Sequence, residues 1–160
     1  MKYRVLNPNE LEPLRDDFIS FLSANTITGE DWSKIKSDKP KEASRLVEIF
    51  SDIVWEKSLP KIKYLEHRDK KYLKVFQCGK SKMSMVGFRV GALGAPSLVD
   101  DKTFKMISSG ELKFSSLKAT FYTSEKAYTK SRNEDIFEMI QSGCLPCEKN
   151  YYFGVKSLLK

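Results

Sequence analysis

Residues 61–90 read KIKYLEHRDKKYLKVFQCGKSKMSMVGFRV and carry the clearest information on fold class. They contain three runs rich in β-branched and aromatic residues, which favour extended structure: residues 61–67, 71–78 and 82–90. Residues 68–70 and 79–81 separate the runs and supply the Asp and Gly that tight turns prefer. This alternation of runs and short turns predicts a three-stranded antiparallel meander.

Helical patterns precede the meander. Asn7, Thr28 and Asp38 each stand at a predicted helix start, followed by apolar residues at helical spacing. The third helix has the strongest apolar stripe: Ala43, Leu46, Val47, Phe50 and Val54. Pro60 is expected to end it, because proline cannot donate the backbone hydrogen bond that a helix interior needs.

The segments after the meander predict a further strand and more helices. A short helix is expected near residues 103–109 and a fourth strand over residues 117–123. Ser131 opens a helix that should stop at Gly143, and a closing helix follows. The sequence therefore predicts one α+β domain over residues 1–160, with N-terminal helices, a small antiparallel sheet (the meander plus a fourth strand) and C-terminal helices.

Charge is concentrated in one segment of the chain. The formal net charge is +7, and residues 56–82 alone carry nine Lys or Arg against three Asp or Glu. No apolar run approaches the roughly 18 residues of a membrane helix. The N-terminus turns polar too soon for a secretory signal, and three cysteines do not form a disulfide framework. We therefore expect a cytoplasmic protein without membrane contact.

The basic hairpin, residues 61–82, carries the candidate binding residues. They are cationic or aromatic: Lys61, Lys63, Tyr64, Arg68, Lys71, Tyr72 and Lys74. Lysines that follow phosphates and rings that stack on bases are common in proteins that bind single strands. Alternation permits a shared face, or rings packed inward with lysines in water. We predict a binding module for an acidic protein or a nucleic acid, and the sequence leaves small-molecule ligands and oligomeric state open.

Two cysteines, Cys144 and Cys147, form a Cys-x-Pro-Cys motif within SGCLPCEKNYY, residues 142–152. In thioredoxin-like enzymes such a motif follows a β-strand and opens a helix, which lowers a thiol pKa. Here the motif follows a predicted helix, and no βαβ pattern surrounds it. The pattern favours a junction between two helices with half-buried thiols, and a thiol–disulfide redox protein is the alternative function.

Other catalytic sites find little support. His67, Cys78, Cys144 and Cys147 could formally bind zinc, but the predicted hairpin separates His67 from Cys78 by roughly 20 Å. His67 is the only histidine, and its position next to a turn is typical of a surface residue. The glycines of residues 91–94 lack the Lys-Ser/Thr of a phosphate loop. The sequence therefore predicts no metal, no cofactor and no catalytic residue, and it favours a protein without enzymatic activity.

Three segments resemble a known family: residues 50–59 (FSDIVWEKSL), 64–67 (YLEH) and 128–137 (YTKSRNEDIF). That family consists of uncharacterised small bacterial proteins known only as a domain of unknown function. The likeness covers most of the chain. It implies no activity, cofactor or site residue, and the family pattern does not feature the pair Cys144 and Cys147.

Overall fold

The computed structural model describes residues 1–159, and the predicted α+β class is confirmed. The helices are α1 Pro8–Leu11, α2 Arg15–Ala24, α3 Gly29–Asp38, α4 Pro40–Ser58, α5 Asp101–Ser108, α6 Arg132–Gln141 and α7 Lys149–Ser157. The strands are β1 Tyr64–Arg68, β2 Tyr72–Cys78, β3 Lys82–Val90, β4 Ala119–Ala127 and β5 Leu145–Pro146. Two short 3-10 turns occupy Glu12–Leu14 and Leu59–Lys61.

The chain forms two compact units, Met1–Leu59 and Pro60–Lys160. The single domain over residues 1–160 stays a prediction. Within residues 1–159, no helix has both the length and the apolar character needed to cross a membrane.

The first unit consists of α1 to α4. Asn7 and Thr28 begin α1 and α3 as predicted, and each forms a reciprocal capping box with the third helical residue. The aromatic side chains of α2 and α4 pack together, with the ring centroids of Phe18 and Phe50 5.0 Å apart. α4 ends at Ser58, two residues before Pro60, which confirms the predicted stop.

The second unit is built on a five-stranded antiparallel sheet with strand order β4-β3-β2-β1-β5. The three-stranded meander and the fourth strand are confirmed, although β4 begins and ends later than predicted. Lys118 explains the late start, because its φ of +48° lies in the left-handed region and the extended chain begins only at the next residue. β5 has only two residues and was not predicted.

The two faces of the sheet differ in what covers them. Residues paired across antiparallel strands point to the same face. One face, the core face, packs its apolar side chains against α5 and α7, and the buried cluster consists of Leu73, Val75, Val86, Phe88, Val90, Leu98, Ile107, Leu117, Tyr152 and Val155. The other face, named here the cationic face, consists of Leu65, His67, Tyr72, Lys74, Phe76, Cys78, Met83, Met85, Gly87, Arg89, Thr120, Tyr122, Ser124 and Lys126.

Helix α6 is tied to β1 and β2 at both of its ends. At its start, the Arg132 guanidinium donates to backbone carbonyls of the hairpin. At its end, Gly143 has φ +103°, and the N–H groups of Gly143 and Cys144 close the last turn onto Ile140 and Met139. Gly143 lies next to His67: a Cβ built at this glycine would stand 3.6 Å from the His67 Nε2 atom. The predicted stop at Gly143 is confirmed.

Candidate functional site

The seven predicted binding residues do not lie together. Tyr72 and Lys74 are on the cationic face, whereas Tyr64 and Arg68 are on the core face. The remaining three lie outside the strands and are exposed: Lys61, Lys63 and Lys71. A ring and a cation therefore share a face in two pairs, of which only Tyr72 and Lys74 lie on the cationic face. The binding role of all seven residues stays a prediction.

Tyr64 and Arg68 are held by contacts within the second unit. The Tyr64 ring lies 5.8 Å from the Tyr152 ring, measured between centroids. The Arg68 guanidinium donates to Glu66 at 3.2 Å and lies 4.9 Å from the centroid of Phe104. Because the Arg68 side chain is 21% exposed and already has an anionic partner, it offers little charge to an external ligand.

Tyr72 joins His67 and Lys74 into one cluster on the cationic face. The Tyr72 hydroxyl and His67 Nδ1 share a hydrogen bond of 3.3 Å. Lys74 Nζ lies 4.9 Å from the centroid of the Tyr72 ring, within range of a cation–π contact. All three side chains are half-buried, so their positions are set by packing while part of each remains accessible.

Gly87 lies at the centre of the cationic face. It pairs with Lys74 on β2 and with Tyr122 on β4. A Cβ at Gly87 would stand 3.2 Å from Cε2 of Tyr122, so the tyrosine ring occupies the space that a side chain would take. Burial raises the pKa of the Tyr122 hydroxyl, and the positive charge of Arg89 partly offsets this increase.

Charge is divided unequally between the two faces. The strand residues of the cationic face include Lys74, Arg89 and Lys126 but no Asp or Glu. The core face carries Glu66 and Glu125, which pair with Arg68 and with Lys82 at 3.2 and 2.8 Å. The cationic face therefore keeps positive charge that no carboxylate of the strands neutralises. The candidate site extends beyond the predicted hairpin, because Arg89, Tyr122 and Lys126 lie on β3 and β4.

Cys144 and Cys147 flank β5, which corrects the predicted turn between two helices. Leu145 and Pro146 pair with Glu66 and Leu65 of β1, so the intervening chain is extended. Three residues of extended chain span about 10 Å, and an odd separation points the two side chains to opposite faces. Cysteines whose Cα atoms lie more than about 7 Å apart cannot form a disulfide without backbone movement. All three cysteines are free thiols.

The thiols are also poor nucleophiles. Burial raises the pKa of Cys147 to about 12, and the nearby Glu66 carboxylate contributes to the increase. Burial raises the pKa of Cys78 to about 11 and also raises that of Cys144. Thiol–disulfide exchange requires a thiolate, and these sites hold the protonated thiol instead.

We expect slow alkylation of Cys147 in the native protein. At pH 8 a thiol with a pKa near 12 is only about 10⁻⁴ thiolate, so iodoacetamide should react at least about 100-fold more slowly than with the unfolded chain. The rate should still rise between about pH 9 and pH 11. Mass spectrometry of labelled peptides, with the chain in denaturant as the control, measures both quantities. A rate that levels off near pH 8 would contradict the raised pKa.

The hairpin register bears on metal binding as well. His67 pairs with Lys74, which places Cys78 four residues further along β2, about 13 Å away at strand rise. Within residues 1–159, no three His, Cys, Asp or Glu side chains are gathered as a metal site requires. The separation of His67 from Cys78 is the reason that these two residues cannot bind one ion together.

Comparison with known proteins places the chain in a family. No curated protein and no solved structure matches it. A family model does match, over residues 1–160, so the resemblance noted in the sequence is confirmed. The chain belongs to DUF6495, a family of unknown function.

Proposed function

We propose that this protein is a non-enzymatic binding module that holds single-stranded nucleic acid on the cationic face. One observation carries the proposal: Lys74, Arg89 and Lys126 share a face of the sheet with Tyr72 and Tyr122, and the strands place no Asp or Glu on that face. Sheets that present cations and rings together bind single strands by contacting phosphates and stacking on bases. The exposed Lys61, Lys63 and Lys71 extend the positive potential to both ends of the hairpin.

The two kinds of side chain have separate roles in this proposal. Arg89 and Lys126 are exposed and reach the phosphates, whose charge supplies most of the affinity. Tyr122 is half-buried over Gly87 and offers a ring to one base, worth about 1–3 kcal/mol when a base stacks on it. Tyr72 already contacts Lys74 and His67, and it positions that lysine.

A charge-reversal variant tests the electrostatic part. We expect Lys74→Glu/Arg89→Glu to weaken binding of a labelled single-stranded oligonucleotide at least about tenfold, because two phosphate contacts become repulsive. The slope of log K against log salt should become shallower by about 1.4, which is two contacts at about 0.7 each for single strands. Fluorescence anisotropy at several salt concentrations gives both values.

A matched control separates site from total charge. Lys102→Glu/Lys113→Glu changes the net charge by the same amount at exposed positions away from the strands. If this control weakens binding as much as the charge reversal, the cationic face is not the site. An equal loss of affinity in the two variants would mean that the oligonucleotide is attracted by the overall charge of the protein alone.

A second pair of probes distinguishes nucleic acid from an acidic protein. Tyr122→Leu should weaken binding of the oligonucleotide but leave binding of polyglutamate unchanged, because only bases stack on the ring. Circular dichroism checks that the variant is folded. A chain that binds polyglutamate more tightly than the oligonucleotide, and is indifferent to Tyr122→Leu, would have an acidic protein as its partner instead.

A further inference from the structure

The outer edge of β4 is open from Thr120 to Ala127. β4 has nine residues, contains no proline and lies at the end of the strand order. Its last five residues, 123–127, are all exposed. In the part of the chain that the structure describes, none of the backbone hydrogen bonds outside helices and strands involves residues 120–127. Unpaired N–H and C=O groups on an exposed edge are a template for another strand.

The register identifies the backbone groups that point outward. The Gly91 N–H donates to the Lys118 carbonyl at 3.2 Å, and these residues continue the register in which Val90 pairs with Ala119. Hydrogen bonding alternates along an antiparallel strand, so the even-numbered residues of β4 bond to β3. Phe121, Thr123 and Glu125 therefore direct their N–H and C=O groups away from the sheet.

The opposite edge of the sheet is closed to this kind of pairing. β5 covers part of β1 there and consists of Leu145 and Pro146 only. Pro146 has no N–H to donate, and proline on an edge strand is one of the devices that prevent edge-to-edge association. Because only one edge is closed in this way, β4 stands out as the edge that can accept a strand.

We propose that β4 pairs with β4 of a second copy of this chain, antiparallel and with Thr123 on the two-fold axis. This register pairs only outward-directed groups, and those of Phe121, Thr123 and Glu125 in the two copies give about six new hydrogen bonds. The outward N–H of Ala119 already donates to the Phe114 carbonyl. Glu125 then lies opposite Phe121 of the second copy, and Lys126 lies opposite Thr120. No like charges face each other, and charge therefore does not oppose self-pairing.

The dimer has a geometric consequence for the cationic face. Residues opposite each other in antiparallel strands share a face, so the cationic faces of both copies lie on the same side of a ten-stranded sheet. Tyr122 and Lys126 of each copy then stand next to the new seam. The dimer does not depend on the proposed nucleic-acid binding, and it is tested without nucleic acid present.

Analytical ultracentrifugation of the full chain, from about 5 μM to about 500 μM, tests the dimer. We expect dimers to form within this range. Thr123→Pro should raise the dissociation constant at least about tenfold, because it removes one outward donor from each copy at the axis. Thr123→Val keeps the N–H and the β-branched side chain and should leave the constant unchanged. A wild-type chain that stays monomeric at about 500 μM overturns the proposal, as does a dimer that Thr123→Pro leaves intact.

A second pair of variants keeps the test valid if Thr123→Pro does not fold. Thr120 is exposed, so Thr120→Lys should fold, and it sets two lysines opposite each other at both ends of the seam. We expect it to weaken the dimer and Thr120→Glu to tighten it, by about threefold in each direction. Identical dissociation constants for the two variants would exclude this register.

Discussion

The Gly87→Ala variant is expected to lower the free energy of unfolding by at least about 3 kcal/mol. A Cβ at this position would stand 2.6 Å from the carbonyl oxygen of Leu73 and 3.2 Å from Cε2 of Tyr122. The first atom belongs to the backbone of β2, which is paired on both sides, so it cannot move without disturbing the ladder between β2 and β3. Tyr122 could turn away, but it would then leave the cationic face. Urea unfolding followed by far-UV circular dichroism measures the change.

Gly154→Ala is the matched control for this variant. Gly154 lies within α7, and apart from its chain neighbours and the backbone of its own helix no heavy atom lies within 4 Å of a Cβ built there. Alanine in place of a glycine within a helix should raise the free energy of unfolding by about 0.5–1 kcal/mol. The same substitution, glycine to alanine, is thus expected to lower the free energy of unfolding at position 87 and to raise it at position 154. If Gly87→Ala were as stable as the wild type, β2 and β3 would have to be further apart at this point than the structure has them.

The strands could be predicted because several local signals agreed. Each run of the meander combined β-branched residues with turn residues at its ends, and the observed strands begin within three residues of the predicted starts. The capping boxes at Asn7, Thr28 and Ser131 are equally local, since each involves residues three apart. β5 could not be predicted, because two residues are too few to show a period.

The composition of the cationic face depended on register, which is not a local property. β3 and β4 are joined by 28 residues, so no turn geometry fixes which residue of one strand faces which residue of the other. That register decides that Arg89 and Tyr122 accompany Lys74. By contrast, the pairing of Arg68 with Glu66 had a local signal. Side chains two residues apart on a strand point to the same face, as Glu66 and Arg68 do. This spacing predicts an internal ion pair rather than a free cation.

Arg132→Met is expected to lower the free energy of unfolding by about 3 kcal/mol. Nη2 of Arg132 donates to the carbonyls of Ile62 and Cys78 at 2.6 and 3.0 Å, and Nε donates to that of Gly79 at 3.0 Å. The guanidinium therefore binds three carbonyl oxygens at one end of the hairpin and holds the start of α6 against it. Methionine keeps much of the side-chain volume but leaves acceptors without their donor. A charge-assisted hydrogen bond contributes about 1.5–3 kcal/mol, and Gly79 retains a bond from the Tyr128 hydroxyl at 2.8 Å.

Lys130→Met is the control, because it removes one positive charge two residues away. Lys130 pairs with Glu138 at the exposed surface, where water screens the ion pair, so the urea midpoint should hardly change. Arg132→Lys should lie between the two, since one ammonium cannot reproduce the geometry of a planar guanidinium that serves three acceptors. If Arg132→Met and Lys130→Met shifted the midpoint equally, only the lost charge would matter. A far larger shift for Arg132→Met means that the hydrogen bonds of this guanidinium, and not its charge alone, hold the start of α6 against the hairpin.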